Sequence, residues 1–226
     1  MKFTLAFDLF DTILDTSSTE EMLREIVDDH AEKFSGLWKS KRIEYLTRKA
    51  LMNIPADFEE CSKQALDFCC IAFDVYLSGR EKKILLKKSY ALPAFRDVKK
   101  AMKAAKSEGH RIYAFSDGSK SFISDLLHNA NLISLFDGVI GAQDAESVKP
   151  SPVVYQYFNK CTNSDKNTSW LISGNATDVI GAVTFGMKTI WVQRTSDNVY
   201  DPWGIETTGV IGSLHSLMDE INGFND

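Results

Sequence analysis

The chain has 226 residues, 44% of them hydrophobic, which is enough for one sizeable core or for one core domain carrying a small insertion. Lys and Arg number 26 against 31 Asp and Glu, a formal charge of −5, and the bases are scattered, so a nucleic-acid partner is not expected. No stretch holds 18 uninterrupted apolar residues and Met1-Lys2-Phe3 runs straight into a strand pattern, so neither a membrane span nor a secretion signal is expected and a cytoplasmic location is.

In chain order, short apolar runs at Phe3 to Phe7, Arg111 to Phe115, Gly138 to Ile140, Trp170 to Ile172 and Thr189 to Val192 read as buried parallel strands. Helical patterns follow them, over Phe95 to Ser107, Ser119 to Asn129, Val153 to Lys160, Asp178 to Phe185 and Ser213 to Ile221. Gly109 and Gly186 stand where a helix hands over to the next strand. Residues 17–90 break the rhythm with three or four amphipathic helical patterns and no strand, beginning where Thr16, Ser17 and Ser18 offer capping hydroxyls and ending near Pro93. The expected fold is α/β: a Rossmann-like parallel sheet formed by residues 1–16 and 91–226, with a helical cap subdomain over 17–90.

Cys61, Cys69, Cys70 and Cys161 form no C-x-x-C pair and read as free thiols. His30, His110, His128 and His215 have no metal-ligand spacing, and Trp38, Trp191 and Trp203 read as core or interface residues.

In an open parallel sheet, ligands bind beyond the carboxyl ends of the strands. Those positions hold Asp8, then Ser116-Asp117-Gly118, then Lys149-Pro150, then Ser173-Gly174-Asn175 with Asp178. Singly, each has an ordinary reading as a turn aspartate, a cap, a solvated lysine or a first-turn acid. Jointly, an acid, hydroxyls, a base and a second acid converge on one rim.

The segments "FDLFDT", "FSDGS", "VKPSPVVY" and "SGNATDVIGAVTFGMKTIWVQR" resemble, in order, the four motifs of the haloacid dehalogenase superfamily. The nearest resemblance is to the 2-haloacid dehalogenase branch, whose first motif reads Asp-x-Tyr-Gly-Thr and whose fourth carries Ser-x-Asn-x-x-Asp; "LWKSKRIEYLTRKALMNIPADF" resembles that branch's cap helices. The resemblance implies strand order 3-2-1-4-5 and a hydrolase that attacks a small 2-halo carboxylic acid with Asp8, forming an ester that water cleaves. It implies that Lys149 keeps Asp8 ionised, Thr12 orients it, and Asp178 with Ser173 and Asn175 directs the water. Ser116 and neighbouring N–H groups would hold the substrate carboxylate, Tyr155 would border the pocket, and Phe10, Ile43 and Phe58 would line it. No cofactor is implied, a small molecule is the partner, and homodimers occur in the branch.

The chain also departs from the branch. Lys39 stands where the branch has a cap Arg, Asp11 replaces a turn Gly, Thr177 replaces a bulky aromatic, and Asp117 replaces Asn. Two like charges about 5 Å apart cost roughly 3 kcal/mol at an effective dielectric of about 20, so Asp117 must be protonated, turned away or paired with Lys39 for a haloacid to bind well. Two alternatives stay open: a magnesium-dependent phosphatase with metal on Asp8 and Asp178, or a non-catalytic relative. Phe10 counts against the phosphatase, because it stands where that branch has a proton-donating Asp.

Overall fold

In a computed structural model describing residues 1–224, the opening apolar run becomes β1 (Thr4–Phe7), buried along its whole length. It lies at the centre of a six-stranded, all-parallel sheet with β2 (Arg111–Ser116) on one side and β4 (Ser169–Ser173) on the other. β3 (Gly138–Gly141) pairs outside β2, and β5 (Lys188–Val192) and then β6 (Gly209–Ile211) extend the far side. The order β3-β2-β1-β4-β5-β6 contains the expected 3-2-1-4-5 and adds one strand. That strand was missed because three residues, "GVI", carry too little periodicity to read.

Period-two alternation decides which helices cover which face. Leu5 and Phe7 point into a core built with Val98, Met102 and Ala105 of α5 (Val98–Ser107), Ile123 and Leu127 of α6 (Lys120–Asn129), and Leu217 and Ile221 from near the C terminus. Ala6 and Phe115 point the other way, against Val154, Tyr155 and Phe158 of α7 (Pro152–Thr162) and Ala182 of α8 (Ala176–Phe185). Each fully buried Leu, Phe or Ile contributes on the order of 1.5–3 kcal/mol, so both layers are anchored by ordinary apolar burial.

Between β1 and β2 run four helices: α1 (Ser17–Val27), α2 (Ala31–Leu51), α3 (Phe58–Ala72) and α4 (Gly79–Ser89). Leu23, Phe34, Trp38, Leu66, Cys69 and Leu85 give them a core of their own, and the Trp38 indole donates to the Ser62 carbonyl at 2.8 Å, tying α2 to α3. Asp57 caps α3 through the Glu60 N–H, and Ser78 with Glu81 forms a reciprocal capping box at α4. Leu46, Phe58 and Cys61 belong instead to the main core, so the end of α2 and the start of α3 seat the insertion on the sheet.

Several element ends differ from expectation. α5 begins at Val98 rather than Phe95, and the Asp97 carboxylate before it caps nothing on its own helix; it accepts from Arg194 at 2.6 Å and from the Ser213 hydroxyl and Leu214 N–H at 2.8 Å. The helix expected from Ser213 to Ile221 divides into a tight turn at Leu214–Ser216 and α9 (Leu217–Gly223). At α1 the hydroxyl of Thr16 turns away to Asp11, and the Asp15 carboxylate accepts the Ser17 N–H at 3.0 Å instead. Trp38 and Trp191 are buried, but Trp203 is 73% exposed and packs into no core.

Candidate active site

The loop leaving β1 is a tight knot: the Leu9 carbonyl accepts from the N–H groups of Thr12, Ile13 and Leu14. Asp11 takes φ 55°, the left-handed conformation the expected turn glycine would supply, and Asp is among the few side chains that tolerate it. Gly174, at the end of β4, makes room for this knot, since a Cβ there would lie 2.3 Å from the Asp11 carbonyl oxygen. Two strand ends therefore close on each other, and Thr12 bridges them by accepting the Gly174 N–H at 2.8 Å and donating to Asp8 Oδ2 at 3.1 Å.

Asp8 is 5% exposed, and its other oxygen, Oδ1, accepts from Lys149 Nζ at 2.7 Å. The same ammonium bonds Asp178 Oδ2, so one buried cation lies between the two carboxylates. Burial alone would strip that ammonium of its proton, but Asp178, Asp8 and Asp117 outweigh it and hold Lys149 well above the ordinary lysine range. Burial pushes the Asp178 carboxyl up to about 7, with Lys149 opposing and Asp8 and Asp117 reinforcing the rise. Asp117 accepts the Lys149 backbone N–H at 2.8 Å, and burial raises its carboxyl too, against the pull of Lys149 and Arg42.

These groups open into a cleft of about 880 Å³ beneath α2 and α3. Of the sequence-derived residues, Asp8, Phe10, Lys39, Ile43, Phe58, Ser116, Asp117, Lys149, Asn175 and Asp178 line it, and Thr12 lies behind Asp8. Phe10 stacks on Phe58 with ring centres 5.4 Å apart, closing the apolar end. Thr177 also faces the cleft, consistent with room left by the missing aromatic.

Three placements differ from expectation. Tyr155 is fully buried in the second core, where its hydroxyl donates to the Asp178 backbone carbonyl at 2.9 Å, so it steadies α8 and does not border the pocket. Gly181 permits this, since a Cβ there would meet the Tyr155 hydroxyl at 2.5 Å. Ser173 is likewise buried, its hydroxyl accepting the Asn175 N–H at 3.0 Å; it shapes the turn and is not part of the cleft wall. Lys39 lines the cleft, but its ammonium is bound to Asp11 and not to Asp117.

Two site residues carried no sequence expectation. Arg194 donates to the Thr12 carbonyl and to Asp97, bracing the β1 knot from the β5 side. Arg42 lies over Phe58 and Phe10, 4.7 and 5.3 Å from their ring centres, inside the cleft. Its signal was its place on the helix face of Lys39, three residues on, within the segment that resembles the branch's cap helices.

A carboxylate, an ammonium and a second carboxylate lie buried in a row at the carboxyl edge of a parallel sheet, under an inserted helical layer, and form the candidate active site. Residues 5–192 match the haloacid dehalogenase-like hydrolase family, and the chain belongs to it. It is 28% identical to the (S)-2-haloacid dehalogenase of Pseudomonas sp. (strain YL), over 95% of this chain and 92% of that one. With (S)-2-haloacid dehalogenase 1 of Pseudomonas sp. (strain CBS-3) it shares 30% identity over 83% of each. A crystal structure of a dehalogenase with an intermediate complex superposes with TM-score 0.89, at 27% identity over 96% of both chains.

Proposed function

We propose that the protein hydrolyses small (S)-2-halo carboxylic acids by way of an ester on Asp8, with the helices over residues 17–90 acting as the cap. The observation that carries this reading is the Lys149 ammonium held between Asp8 and Asp178. In the first step an Asp8 oxygen attacks C2 from the side opposite the halogen. The C–O bond forms as the carbon–halogen bond breaks, and halide leaves with the bonding pair. Lys149 and Thr12 pin both Asp8 oxygens, so the attacking carboxylate is aimed, and at 5% exposed it is largely shielded from water.

In the second step water adds to the Asp8 carbonyl carbon. Asp178 takes its proton, the Asp8–oxygen–C2 link breaks at the acyl side, and the alkoxide takes up a proton as a 2-hydroxy acid of inverted configuration. A carboxyl titrating at about 7 is matched to this task near neutral pH. Burial raises the Asp117 carboxyl, which eases the repulsion expected toward an anionic substrate, since a protonated carboxyl donates a hydrogen bond where a carboxylate repels.

No step requires a metal. Phe10 stands where the phosphatase branch has its proton-donating Asp, which weighs against the magnesium-dependent alternative. The four cysteines are unpaired, in keeping with a reducing, cytoplasmic setting. Among the described residues no helix is long and apolar enough to cross a membrane. A single turnover in heavy-oxygen water tests the proposal, with label expected on the Asp8 peptide; an unlabelled peptide after halide release rules out the ester route.

A further inference from the structure

Lys39 and Arg42 are three residues apart on α2 and face the same cleft, yet they are in opposite electrostatic conditions. The Lys39 side chain is 49% exposed and its charge is already matched by Asp11. Arg42 has no ion pair or hydrogen bond to any described residue, and its Nε is sealed from solvent without a partner. Arg42 is half-buried, and a guanidinium donor sealed from water without a partner is costly unless something that enters the cleft satisfies it. The Phe10 and Phe58 faces hold it in place, while aromatic rings leave its edge N–H groups free for a planar or spherical anion. Asp8, Ser116, Asp117 and Lys149 line the same cleft, so an anion at Arg42 would share it with Asp8.

We propose that Arg42, rather than Lys39, is the cap residue that holds the anionic group of the substrate, either its carboxylate or the halide as it departs. The assignment rests on the dehalogenase reading for which substrate is turned over, but not for where anions bind. Burial lowers the Arg42 pKa, and the facing groups Tyr90, Asp11 and Asp117 oppose that; a guanidinium remains charged throughout the working range.

The test is anion binding to the intact protein and to Arg42→Gln, Arg42→Lys and Lys39→Gln, with propionate followed by calorimetry and bromide by NMR line broadening. Losing a charge-assisted hydrogen-bonding group should weaken binding at least about tenfold in Arg42→Gln, against about threefold or less for Lys39→Gln. Arg42→Lys keeps the charge but not the fork, so a larger loss for propionate than for bromide assigns the carboxylate, and the reverse assigns the halide. Thermal melts of each variant separate misfolding from lost contacts. A parent that binds neither anion, an Arg42→Gln variant that binds both as well as the parent, or a larger loss in Lys39→Gln overturns the assignment. Halide release from (S)-2-chloropropionate is measured alongside: Arg42-dependent propionate binding without turnover sinks the dehalogenase reading alone, and turnover without Arg42-dependent binding sinks this assignment alone.

Discussion

Replacing Lys149 by Ala removes the one cation bonded to both Asp8 and Asp178. Since each carboxylate has an oxygen in hydrogen-bond contact with the same nitrogen, the two oxygens lie no more than about 5 Å apart, where like charges at an effective dielectric of about 20 repel by roughly 3 kcal/mol or more. That energy amounts to about two pKa units, so without the ammonium the two acids share a proton near neutral pH and Asp8 is a bare carboxylate for only part of the time. The loss of attraction to the ammonium adds to this. Rapid-quench halide release during the first turnover isolates the step, and Lys149→Ala should be slower by at least about 10² at pH 7.5. Raising the pH should restore part of the rate, because the missing quantity is an ionised carboxylate and not a missing contact. Lys149→Arg should sit between the two, and the thermal melt reports whether the fold survives. A first-turnover rate within about threefold of the parent, or a loss that does not change with pH, would refute the ion-row account.

Asp178→Asn should alkylate Asp8 and then stall, releasing about one halide per site while intact-mass measurement shows the ester accumulating. In the parent, the steady-state rate should fall as pH drops through about 7, because protonated Asp178 cannot accept the proton of water; a profile flat from pH 5.5 to 8.5 would count against that role. Thr12→Val removes the donor to Asp8 and strands the Gly174 N–H, so a loss of about 1–3 kcal/mol and a melting temperature lower by several degrees are expected by calorimetry. Gly174→Ala forces a methyl group against the Asp11 carbonyl and should lower both melting temperature and first-turnover rate, with about 1–3 kcal/mol lost from stability.

Much of the fold was legible because it is written in local patterns. Five apolar runs, the glycine at Gly186 in a left-handed helix stop and the break in rhythm after Asp15 each report short-range backbone preference and burial. The site was legible to the extent that it follows from topology. Residues just past parallel strands must share one rim, which is why Asp8, Ser116, Asp117, Lys149 and Asp178 could be grouped from positions far apart in the chain.

The tertiary structure decided everything that depends on which way a side chain turns and what it meets there. Tyr155 and Ser173 lie beside the right motifs but turn into the protein, one to the Asp178 carbonyl and one to the Asn175 N–H. Lys39 takes the cap-cation position in the sequence and Arg42 carries no expectation there; folding brings Asp11 to Lys39 and leaves the Arg42 Nε without a partner. Periodicity and strand ends are set by neighbours a few residues away, whereas charge pairing, burial and the pKa of Asp117 are set by groups that folding brings together from dozens of residues apart.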